Sequence, residues 1–141
     1  MMKLEEKVSY ILKQKEEIIF AYLFGSKAEG RDNELSDVDI AVYIDREKMP
    51  ESGLFGYRSE MIVQMQQVLQ EKVDFIILND APFILAHQVL DKGRLLFARS
   101  EAERRKFHEE TMRKYLDFLP FLRVQEKYQQ ERLKEGMFGR E

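Results

Sequence analysis

The chain has 141 residues, the size of one domain, and its 44% hydrophobic and 11% aromatic content suffices for a single core and excludes a disordered chain. Lys plus Arg (23) nearly balance Asp plus Glu (26), so the net charge of -3 gives no global attraction to nucleic acid or membrane. With no cysteine, disulfides, thiolate nucleophiles and cysteine zinc sites are excluded, and His87 and His108 are too isolated for a histidine metal site.

The N-terminal MMKLEEKVSYILKQKEE is charged throughout and lacks the apolar core of a signal peptide. No apolar run reaches bilayer-spanning length, so the expectation is a soluble, cytoplasmic protein. Leu4, Val8, Ile11 and Leu12 recur at helical spacing within 3–16. Ile18 to Phe24 is a continuous apolar run that predicts a buried strand, ending in Gly25-Ser26 and a short helical turn through Gly30. Arg31 to Leu35 is turn-like, and Val38, Ile40, Val42 and Ile44 alternate with Asp37, Asp39, Ala41 and Tyr43 as a second strand. Asp45 to Phe55, with Pro50 and Gly53, reads as a mobile loop; Ile62, Met65, Val68 and Leu69 then predict a helix over 56–70. Val73 to Leu78 is a third strand, carrying the charge of Asp74. Asn79-Asp80 and Pro82 predict the capped start of a helix that stops at Gly93, and Leu95 to Ala98 a fourth strand. Ser100 and Glu103 match a capping box opening a C-terminal helical region, which Pro120 should divide into 101–118 and 121–135. Strands alternating with helices imply a layered α/β fold, with a small mixed sheet of about four strands. The expected organisation is a core over 1–100 and a helical extension over 101–141 of the same domain.

Asp37 and Asp39, two apart on a strand, place both carboxylates on one face. Side by side they repel unless something positive lies between them, and hard divalent cations favour oxygen ligands. For the pair alone, a solvent-exposed strand face or a turn is the plainer reading. Gly25 after a buried strand lets backbone approach a ligand closely, and Ser26 with the following amides can face an anion. An ordinary strand-to-helix turn with a serine cap is the plain alternative. If strand 73–78 lies beside strand 38–44, Asp74 joins as a third carboxylate; otherwise it stays hydrated or pairs with Lys72.

Gly25-Ser26, ten residues, then Asp37-x-Asp39 resembles the nucleotidyltransferase superfamily that includes DNA polymerase beta and the antibiotic-modifying nucleotidyltransferases. The fuller text LFGSKAEGRDNELSDVDIAVYID is similar to its minimal branch, the MntA-family adenylyltransferase antitoxins. Val73 to Asn79, Gly93 to Leu96 and Tyr115-Leu116-Asp117 with Pro120 extend the resemblance over roughly residues 1 to 122. Lys27 departs from the arginine of many relatives, and Glu29 from a basic or small residue; neither departure falls on the metal-ligand positions that the resemblance implies. The resemblance implies the nucleotidyltransferase fold and Asp37, Asp39 and Asp74 as catalytic residues holding two Mg2+ ions, or Mn2+. It also implies Gly25, Ser26 and Lys27 at the phosphates of ATP. The implied reaction transfers AMP to a tyrosine hydroxyl of a HEPN ribonuclease toxin bound as a hetero-oligomer. Two alternatives stay open: adenylylation of an aminoglycoside-like small molecule, and neutralisation of the partner by occlusion alone.

His87 and His108 read as helix-surface residues, Met61 and Met65 as core or contact surface, and direct nucleic-acid binding is not expected. Tyr43 and Tyr57 could stack on a base, though this is not the favoured reading of either. Phe107, Tyr115, Phe118, Leu119, Phe121 and Leu122 give the C-terminal region more apolar surface than one sheet face needs, and an exposed remainder would mark a partner surface.

Overall fold

The computed structural model describes residues 3–25, 37–51 and 56–138. In chain order these form α1 (Leu4–Lys13), β1 (Ile18–Phe24), β2 (Val38–Ile44), α2 (Gly56–Leu69), β3 (Val73–Ile77), α3 (Phe83–Lys92), β4 (Arg94–Ala98) and α4 (Glu101–Phe138). The sheet order is β3-β2-β1-β4, with β1 antiparallel to β2 and β4, and β2 parallel to β3. This is the small mixed sheet that the alternating pattern implies, and α2 makes the crossover that a parallel pair requires. The expected turn through Gly30 lies outside the described residues.

Period-two alternation divides the strands between two cores. Val38, Ile40, Val42 and Ile44 of β2 meet Val8 and Leu12 of α1 and Met61 and Met65 of α2. Phe20, Tyr22 and Ala41 meet Ala86 and Val89 of α3 on the opposite face. Phe20 is wholly buried and stacks on Tyr43 at 4.9 Å with the rings 2° from parallel, while Phe107 of α4 closes over both. Truncating such an aromatic costs about 3–5 kcal/mol, so this cluster ties the first part of α4 to the sheet. Tyr115 stacks on His87, and Phe118 packs edge-on against Phe83, fastening α4 to α3.

Several local expectations are corrected. Pro120 does not divide the C-terminal region: α4 runs unbroken over 38 residues with Pro120 inside it. A mid-helix proline loses one hydrogen bond and crowds the carbonyl four residues back, at about 3 kcal/mol. Tertiary packing upstream at Tyr115 and Phe118, and helix formers such as Gln125, Glu126 and Lys127 downstream, offset that local cost. Asn79 does not cap α3, whose N-cap is Pro82 without a side-chain bond. Instead Asn79 Oδ1 accepts from the Ile44 N–H and its Nδ2 donates to the Ile44 carbonyl, both at 2.9 Å, completing the end of β2 as a backbone partner would. Within the expected loop, Arg46–Lys48 form a 3-10 turn whose cap, Asp45, accepts from the Glu47 N–H; residues 52–55 lie outside the described residues. The capping box holds in its first half, since the Glu103 N–H donates to Ser100 Oγ at 3.2 Å.

Candidate active site

Alternation fixes where the acidic side chains emerge. Asp39 sits between inward-facing Val38 and Ile40 and so projects from the α3/α4 face, near the β2 start. Parallel pairing puts Asp74 directly across from Asp39, and antiparallel pairing puts Phe24, the last residue of β1, against it on the other side. Asp37, exposed just before β2, precedes Asp39 by two positions. The backbone therefore sets Asp39 and Asp74 in register on neighbouring strands, with Asp37 two positions before Asp39.

Their proximity has an electrostatic cost. Burial, then the negative charge of Asp74, then that of Asp37, push the Asp39 carboxyl from its ordinary 3.8 up to about 6. A carboxyl destabilised this way takes up positive charge favourably, either a proton or a cation. Gly25 stands against the same carboxyl: its φ is +75°, and a Cβ there would lie 2.2 Å from Asp39 Oδ2. Only glycine supplies both that conformation and that space. Gly25, at the end of β1, and the carboxylate of β2 thus form one contiguous surface. Ser26 and Lys27, the other expected phosphate-contacting residues, lie outside the described residues.

The donor set of clustered carboxylates fits a hard divalent ion such as Mg2+ or Mn2+. Among the described residues, however, no three acidic or histidine side chains are gathered closely enough to hold one ion. Asp74 is engaged elsewhere. Its Oδ1 accepts from Arg58 Nη2 at 2.9 Å and from the Phe75 N–H at 3.0 Å, while Arg58 Nε donates to the Phe75 carbonyl at 2.6 Å. The basic partner of Asp74 is therefore Arg58 and not Lys72, and sequence reasoning missed it. Arg58 lies on α2 and reaches Asp74 around the open edge of β3, a path that no spacing in the sequence marks.

Other candidates resolve differently. Tyr57 is buried and donates to Glu17 Oε2 at 2.8 Å, and Tyr43 lies in the Phe20–Phe107 stack, so neither ring is presented for a base. Met61 and Met65 are core. His108 is exposed as expected, but His87 is half-buried, its ring 3.6 Å from that of Tyr115 and nearly parallel to it. Beside Gly25, Phe24, Leu85, His87, Gln88 and Lys92 line an open cavity of about 330 Å³. It adjoins the carboxylates through Gly25, and its α3 lining was not anticipated.

A mixed four-stranded sheet with paired carboxylates at a strand start, behind a glycine turn, has the architecture of the nucleotidyltransferase fold. The family model described as polymerase beta, nucleotidyltransferase matches residues 6–102, and the chain belongs to that family. It is similar to the protein adenylyltransferase MntA of Aphanizomenon flos-aquae (strain 2012/KM1/D3), with 30% identity over 95 residues, 64% of this chain and 63% of that protein. The chain thus spans just under two thirds of the length of the curated relatives it matches. Among solved structures, a chain from a toxin–antitoxin crystal structure with AMP-PNP superposes with a TM-score of 0.73 at 23% identity, covering 90% of this chain and 99% of that one. A chain from the complex of tri-AMPylated Shewanella oneidensis HEPN toxin with MNT antitoxin gives 0.64 at 22%, covering 89% and 95%. Likeness at that level of identity establishes the fold.

Proposed function

We propose that this chain is a magnesium-dependent protein adenylyltransferase that moves AMP from ATP to a tyrosine hydroxyl of a HEPN ribonuclease toxin and so neutralises it. The observation that carries this reading is the register pairing of Asp39 with Asp74, with Asp37 adjacent and Gly25 against Asp39. The acceptor class draws support from the MntA adenylyltransferase relative and from the AMPylated HEPN toxin in the similar complex. Residues 1–100 would be the catalytic core and 101–141 a helical extension of the same domain, acting in the cytoplasm.

Asp37, Asp39 and Asp74 would hold two Mg2+ ions, or Mn2+, which supply positive charge at the phosphates and lower the pKa of the attacking hydroxyl. Gly25, Ser26 and Lys27 would receive the triphosphate, where the glycine leaves backbone accessible and the lysine offers a point charge. Asp74 would accept the tyrosine proton as the oxygen attacks the α-phosphorus and pyrophosphate departs. The partner would dock on α4, where Phe121, Val124 and Tyr128 are all at least 60% exposed and lie along one side of the helix.

Incubation with the HEPN partner, ATP and Mg2+, followed by intact-mass measurement, tests this reading. The partner mass should rise in steps of one AMP, and Asp39→Asn should abolish the rise. A partner mass that never changes, while an aminoglycoside is adenylylated, would refute it in favour of a small-molecule acceptor.

A further inference from the structure

We propose that Arg58 is a positioning residue that competes with the divalent cation for Asp74 and so sets the affinity of the site. The inference rests on the metal-site reading of Asp37, Asp39 and Asp74 given above. Asp39 and Asp74 are register partners on one sheet face, yet the described carboxylates do not gather around a common point. What holds Asp74 is visible: Arg58 Nη2 and the Phe75 N–H both donate to Oδ1.

The guanidinium does not depend on Asp74 for its own placement, because Arg58 Nε is anchored on the Phe75 carbonyl at 2.6 Å. It can therefore release the carboxylate without leaving the strand edge. The side chains of Arg58 and Asp74 are 54% and 45% exposed, the regime in which an ion pair biases a rotamer and yields to a stronger competitor. A divalent ion held by Asp37 and Asp39 is such a competitor, and the nearby guanidinium charge also opposes its entry. Arg58 thus holds the third carboxylate at the strand edge until a cation arrives.

The test is Mn2+ titration calorimetry on the whole chain without nucleotide, so that it reads binding and not turnover. Arg58→Gln, which keeps an N–H donor for the Phe75 carbonyl, should tighten Mn2+ binding about threefold to fivefold, the scale of an exposed ion pair. Arg58→Met serves as a second variant should the first melt early, with the same expected direction. In an Asp74→Asn background the Arg58→Gln gain should shrink below about twofold, since the competition has lost its object. Unchanged or weaker binding in both Arg58 variants overturns the proposal while leaving the metal site standing. If the wild-type chain takes up no Mn2+, or Asp39→Asn leaves uptake unaltered, the metal-site reading itself fails, and this inference with it.

Discussion

Replacing Asp39 by Asn should make the metal-free protein more stable at neutral pH, although it removes a residue central to the proposed site. In the folded chain the Asp39 carboxyl is raised from 3.8 to about 6 by burial and by Asp74 and Asp37. A raised folded pKa means that Asp39 favours the fold most below 3.8, and that this contribution is lost as pH rises through 6. At about 1.4 kcal/mol per pH unit the full cost at pH 7.5 is about 3 kcal/mol. Asp39 is only partly buried, so solvent and salt screening reduce this to about 1–1.5 kcal/mol. For a chain of this size that corresponds to roughly 3–5 °C in Tm. The assay is a thermal melt of wild type and Asp39→Asn in chelator at pH 7.5 and at pH 4.5. Asn should melt higher at pH 7.5, and the gap should narrow at pH 4.5 as the wild-type carboxyl takes up a proton in the fold. An Asn variant that melts at or below wild type at pH 7.5, or a gap that is the same at both pH values, would refute this account of the cluster.

Gly25→Ala should destabilise the chain by about 1–2 kcal/mol from its positive φ alone, and more from the overlap with Asp39 Oδ2. Melts should show the loss and calorimetry a weakened cation site; an unchanged Tm would contradict the close approach. Pro120→Ala should restore a helical N–H within α4 and raise stability by up to about 3 kcal/mol. Far-ultraviolet circular dichroism during thermal melting checks it, and a lower Tm would mean that Pro120 relieves a strain elsewhere.

The candidate site was legible wherever it depends on period two. Inward Val38, Ile40 and Val42 force Asp39 to the opposite face, and pairing β2 with β3 then sets Asp74 in register beside it. Gly25 was legible as a close approach, though not that the approaching atom is Asp39 Oδ2. What stayed hidden depends on where side chains go in three dimensions. Arg58 crosses a strand edge, Asn79 serves the end of β2 instead of its own helix, and His87 meets Tyr115 through the packing of two helices. Tyr43 and Tyr57 carry no local mark separating a core ring from a presented one; only Phe107 and Glu17, distant in sequence, decide it. Pro120 misled because a local penalty of a few kcal/mol is outweighed once neighbouring turns are fastened to a partner helix.

The side chains around β3 also bear on how copies of this chain meet one another. β3 lies at the margin of the sheet, where outward-pointing amides and carbonyls invite a foreign strand to add on. Here the Val73 N–H donates to Gln66 Oε1, the Phe75 N–H to Asp74 Oδ1, and the Phe75 carbonyl accepts from Arg58. Three docking points for an incoming backbone are already taken by side chains, two of which are charged. Growth of the sheet by edge-to-edge stacking would have to strip all three, so the same guanidinium that restrains Asp74 also protects the protein from polymerising through its own margin.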